Sequence, residues 1–141
     1  MQDSQRTHYH PEDRFFFARI PVSRARRILR IGYTALPLAA GIDKFAHLLV
    51  DWGRYVAPWF VRGAAIPVNQ VLYVIGVFEI ALALVVALAP RVGAYLVCVW
   101  LCIVVADLLA VSPSYGVIFV AVCLAAGAYA LARLDSALRF M

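Results

Sequence analysis

Four ionisable residues, Asp43, Lys44, Glu79 and Asp107, interrupt stretches of sequence that are otherwise almost wholly apolar. A charge in such surroundings needs a partner or a water-filled recess, because its insertion into lipid costs about 3 kcal/mol. His47 lies four residues after Asp43 and four before Asp51, so a continuous helix would align the three on one stripe. A set of acids around one lysine is compatible with a buried ion pair that fixes helix register. It is also compatible, as the second reading, with a polar pocket for the head group of a quinone or another amphipathic molecule. In the pocket reading Glu79, expected protonated or hydrogen-bonded at neutral pH, is a candidate proton-relay group. Metal binding is not expected, since one histidine and several carboxylates drawn mainly from one segment ligate poorly, and His8 and His10 on a tail close no site. There is no Ser-His-Asp set, no phosphate loop and no haem-attachment motif, so no catalytic residue is assigned. The three cysteines, Cys98, Cys102 and Cys123, lie in apolar runs without zinc spacing and read as packing residues.

The elements that must position this cluster follow from composition. The chain has 141 residues, 65% of them hydrophobic and 15% charged, with a mean hydropathy of +0.84. A soluble domain carries far more charge, so disorder, a nucleic-acid arm and a disulfide-stapled miniprotein are all excluded. A membrane-crossing helix uses about 20 residues, and four such spans with their loops nearly exhaust the length. The spacing predicts an all-α integral membrane four-helix bundle. A basic tail of residues 1–27 precedes spans at about 28–50, 68–88, 92–111 and 115–134, and a short C-terminal tail covers 136–141.

Residues 51–67 form a connection with Trp52, Tyr55, Trp59 and Phe60, the mark of an interfacial belt. Pro58, Gly63 and Pro67 predict that it lies along the surface as a short broken helix. Basic residues set the orientation. Arg6, Arg14, Arg19, Arg24, Arg26, Arg27 and Arg30 open the chain, and Arg91, Arg133 and Arg139 fall on the same side. Only Arg54 and Arg62 fall on the other, so both termini are expected in the cytoplasm. Phe15-Phe16-Phe17 between Arg14 and Arg19 suits an interfacial anchor on lipid head groups.

With a rise of about 1.5 Å per residue, Lys44 lies about 9 Å inside the outer end of its span, Asp107 about 6 Å and Glu79 about 15 Å. A lysine side chain at that depth can meet either Asp107 or Glu79. Small residues recur every fourth position, at Ala35 and Ala39, Ala83 and Ala87, Ala121 and Ala125, and Ala128 and Ala132, which favours close helix packing in lipid.

Gly41-Ile42-Asp43-Lys44-Phe45 and Gly76-Val77-Phe78-Glu79, followed by Pro90-Arg91-Val92-Gly93-Ala94 and Ala130-Leu131-Ala132-Arg133-Leu134, resemble in order and spacing the motifs of the DoxX/DoxD-like family. The resemblance covers about residues 28–135. It implies a small four-helix protein of the bacterial inner membrane, associated with oxidoreductases and with quinone-linked electron transfer. It places Lys44 and Glu79 at the family's intramembrane polar positions, and Asp107 where relatives often carry Asn.

Near the start of the fourth span, where relatives often carry an Asp and then an Arg-Asp pair, this chain has Gly116 and Val120-Ala121. That departure favours an alternative role, a non-catalytic structural or assembly subunit of a respiratory or photosynthetic complex, docked through its fourth span or paired with a second copy. No intrinsic cofactor is expected, a bound quinone or lipid being the ligand that the pocket reading allows. The expected partners are membrane lipids and protein subunits, with no nucleic acid.

Overall fold

A computed structural model describes residues 11–56, 58, 63, 66–111 and 115–139, and side chains between 22 and 137 within those limits. The described residues are helical, with no strand. Helix α1 spans Pro11–Ala46, a short 3-10 helix spans Trp52–Tyr55, and three further helices follow: α2 (Val68–Leu88), α3 (Pro90–Val111) and α4 (Tyr115–Arg139).

Helices α2 and α3 and residues Tyr115–Ala137 of α4 are each long and apolar enough to cross a membrane, the property of a multi-pass membrane protein. The limits of α2 coincide with the second predicted span, and the others shift. α3 begins at Pro90, whose missing N–H is no loss in a first helical turn. α4 runs on past Leu134 to Arg139. α1 passes uninterrupted through Pro37 and starts well inside the predicted tail, so residues 11–27 belong to the same helix as the first apolar stretch. It ends at Ala46, before the predicted limit at Val50. The stripe from Asp43 to Asp51 is therefore broken, and His47 and Asp51 lie beyond the helix.

α1 packs mainly on α2, and α3 mainly on α4, with α2 against α3 and α1 against α4 completing the ring. Glycines allow the closest approaches. A Cβ on Gly41 would stand 2.8 Å from both the Gly76 carbonyl oxygen and Ile80 Cγ1, so α1 and α2 cross backbone to backbone there. Gly93 lies against the backbone of Val86 just after the α2–α3 turn, where an added Cβ would be 2.5 Å from its Cα. The apolar core gathers Tyr33, Leu82, Val86, Ala94, Val97, Ala128, Leu131 and Ala132, toward the end of the molecule that holds the α2–α3 turn.

Ala121, Ala125, Ala128 and Ala132 are all buried, so the small-residue stripe of α4 is used up within this chain. The outward face of the same helix carries Val117, Phe119, Val120, Val122 and Tyr129. Cys102 and Cys123 are exposed and Cys98 is half-buried; all three are free thiols.

Candidate functional site

Gly41 and Gly76 fix the place of the buried charges. Each glycine lies three residues before a charged one, and residues three apart share a helix face. Where the two backbones meet, Lys44 and Glu79 are therefore both turned into the α1–α2 interface. The Lys44 stem lies against Gly76, since a Cβ there would be 3.3 Å from Lys44 Cβ. It then follows the α2 face to Glu79, where Nζ donates to Oε2 at 2.6 Å. The two side chains are 4% and 10% exposed, so this is a buried ion pair.

Asp43 has a different task. Its Oδ1 accepts the backbone N–H groups of Leu48 at 3.0 Å and Leu49 at 2.8 Å, and its Oδ2 accepts that of Val50 at 3.1 Å. The Trp52 indole Nε1–H donates to the same Oδ2 at 2.7 Å. A carboxylate that draws in the next backbone donors competes with helix continuation, which explains the end of α1 at Ala46. His47 follows with φ of 52°, a left-handed residue whose N–H still donates to the Asp43 carbonyl at 2.7 Å. Asp43 also holds the Trp52 ring in place, and that ring covers the lysine, with Nζ 3.8 Å from the ring centroid. The ammonium thus sits between a carboxylate and an aromatic face, an arrangement that stabilises a desolvated cation.

The remaining predicted members fall outside this knot. His47 is exposed, its ring tilted 6.3 Å from that of Tyr73. Asp107 is half-buried on α3, a helix that α1 scarcely touches. It makes no hydrogen bond or ion pair among the described residues. Phe78 packs on Trp100 across the α2–α3 hairpin, and Asp107 is seven residues beyond Trp100, about 10 Å farther along the axis. Of the two partners open to Lys44 in the sequence, the structure thus selects Glu79. The predicted cluster divides into a Lys44–Glu79 pair, an Asp43 loop anchor, and two residues apart from both. Among the described residues no three His, Cys, Asp or Glu side chains come together as a metal set. His8, His10, Trp59, Phe60 and Arg62 lie outside the described residues.

Two features escaped the sequence. Trp52 read only as an interfacial aromatic, and nothing in its spacing reveals that it folds back over Lys44. At the opposite end, the Arg26 guanidinium pairs with the fully buried Asp135 carboxylate, Nε lying 2.6 Å from Oδ1, and joins α1 to α4. One to two turns along α1, Arg30 donates to the Ala87 carbonyl at the end of α2, and the Tyr33 hydroxyl donates to the Leu124 carbonyl of α4 at 2.6 Å. Positions 26 and 135 are 109 residues apart, and only the tertiary fold brings them together. Comparison of the chain with protein-family models, with curated proteins and with solved structures finds no match in any of the three.

Proposed function

We propose that this chain is a small multi-pass membrane protein of the DoxX/DoxD-like kind that acts as a non-catalytic structural or assembly subunit of a larger membrane complex. The observation that carries this reading is the closure of the Lys44–Glu79 pair. Its charges satisfy each other, Trp52 covers the ammonium, and Asp43 is fully occupied by the loop that brings Trp52 there. Groups held in this way pin α1 to α2.

In this reading α1 is a fourth crossing segment. Its apolar half carries Arg30, Asp43 and Lys44, and each has an internal partner, as a residue in lipid requires. Both termini then lie on the side of Arg26 and Asp135, which is the cytoplasmic side by the arginine bias. The outward face of α4 offers Val117, Phe119, Val120 and Val122 to a neighbouring subunit or a second copy.

The deciding experiment is mass spectrometry of the assembly after mild detergent extraction, reporting co-purifying subunits, bound quinone and bound lipid together. The structural role predicts a stoichiometric partner, or a second copy, and no stoichiometric quinone. It also predicts that Glu79→Gln leaves the turnover per intact assembly unchanged, whatever it does to the amount of assembly. A chain that always runs alone refutes it.

A second reading, a quinone-linked subunit of an oxidoreductase, draws support from the aromatic pair beside Glu79. Phe78 and Trp100 lie 4.8 Å apart, Phe78 exposed and Trp100 half-buried, where a flat ring in the bilayer can stack. That reading requires bound quinone in the same spectrum and loss of quinone reduction in Glu79→Gln.

A further inference from the structure

The segment between α1 and the 3-10 helix combines features that pull in opposite directions. Leu48 and Leu49 are 82% and 79% exposed, and Val50 is also exposed. A non-helical stretch with bare leucines is normally a poor thing to place in lipid, because its backbone N–H groups would have no partner there. Here Asp43 accepts the N–H of Leu48, Leu49 and Val50. The N–H of His47 is bonded to the Asp43 carbonyl. The backbone donors of residues 47–50 are thus met from within.

The depth of the segment is set by its neighbours. Phe45 stacks on Tyr73 with ring centroids 5.2 Å apart, so α1 ends beside the second turn of α2. A Cβ on Gly53 would stand 3.7 Å from Val68 Cγ1, so the chain rises to the first residue of α2 only at Gly53. Residues 47–50 therefore lie alongside the first two turns of α2, which opens Val68-Asn69-Gln70-Val71, and not beyond its end. The charges begin where the chain emerges. Asp51 and Arg54 pair with each other at 2.9 Å, their side chains 66% and 80% exposed.

We propose that residues 47–50 form a loop in the adjoining leaflet whose Leu48 and Leu49 side chains insert among the acyl chains, with Asp43 as the internal acceptor that partners its backbone N–H groups. The occupant of this exposed apolar surface is lipid. No acid or base other than His47 lies between Lys44 and Asp51, which fits an acyl environment. The loop rests on the membrane reading of the chain.

The test uses the full chain with Cys98, Cys102 and Cys123 changed to alanine and one new cysteine carrying an environment-sensitive fluorophore. It is placed at Leu49→Cys, at Arg54→Cys or at Val99→Cys, the last an exposed position in the middle of α3. Each protein is reconstituted in phosphatidylcholine–phosphatidylglycerol vesicles and quenched either by aqueous iodide or by a lipid bearing a spin label near its glycerol. The expected result is a several-fold lower iodide quenching constant at position 49 than at 54, with strong quenching by the labelled lipid at 49, weaker quenching by it at the deeper position 99, and iodide protection at 99. Adding Asp43→Asn, which turns an amide donor toward Val50 and Trp52, is expected to raise iodide quenching at 49 and leave 99 unchanged.

Iodide quenching at 49 equal to that at 54 overturns the embedded loop. Protection at 49 from both quenchers also overturns it, since the cover is then protein. Iodide access at position 99 strikes instead at the membrane reading itself.

Discussion

Changing Glu79 to leucine removes the carboxylate bonded to Lys44 and leaves an ammonium that is 4% exposed in an apolar interface. Breaking a buried pair by deleting one partner costs about 3–5 kcal/mol, because the remaining charge is uncompensated. The Asp43 carboxylate cannot take over, as four donors already occupy it. The Trp52 ring remains and offsets about 1–2 kcal/mol of the loss, which leaves a net destabilisation of about 1–4 kcal/mol.

Lys44→Met together with Glu79→Leu removes both charges and fills the same volume with apolar atoms. The double variant is expected within about 1 kcal/mol of the parent, or above it. The double-mutant cycle then gives a coupling of at least about 2 kcal/mol. The assay is equilibrium unfolding in mixed micelles, followed by far-ultraviolet circular dichroism on the four proteins in parallel. If Glu79→Leu costs under about 0.5 kcal/mol and the cycle shows no coupling, the pair does not hold α1 to α2, and the structural role loses its foundation.

Three further outcomes follow from the packing. Gly93→Ala places a Cβ 2.5 Å from the backbone of Val86, where no side-chain rotation relieves it; a loss of about 3 kcal/mol in the same unfolding assay is expected. His47→Gly removes a side chain from a left-handed position at φ 52° and is expected to raise stability by about 0.5–1 kcal/mol, measured by the same unfolding. Asp135→Ala strips Arg26 of its carboxylate between α1 and α4 and is expected to cost about 2 kcal/mol. It should also speed protease cleavage near residue 26, while Arg133→Ala, at an exposed position two residues away, does neither.

The apolar elements were legible because lipid imposes length and hydropathy on a crossing helix, and α2 emerges with its predicted limits. Lys44 and Glu79 were legible for the converse reason, a charge in an apolar run having to be partnered. The choice between Glu79 and Asp107 was not, because depth along each span ignores lateral neighbours, and α1 lies on α2 with little contact to α3. The end of α1 was hidden as well. Whether Asp43 continues a stripe or gathers the next N–H groups depends on the loop conformation, and composition is silent on that. The first half of α1 was masked by its arginines, which read as a tail although one helix runs through them. The inward turn of Ala121 and Ala125 depends on the rotation of α4 about its own axis, which a four-residue spacing leaves undetermined.

The bond between Arg26 and Asp135 joins the first long helix to the last. Asp135 lies near the end of α4, so this bond cannot form until nearly all of α4 has been synthesised. During translation Arg26 therefore waits for 109 residues of elongation before its partner carboxylate is made. Until then the face of α1 that carries Arg26 and Tyr33 has no α4 against it, so the seam between these two helices is the last of the ring to form.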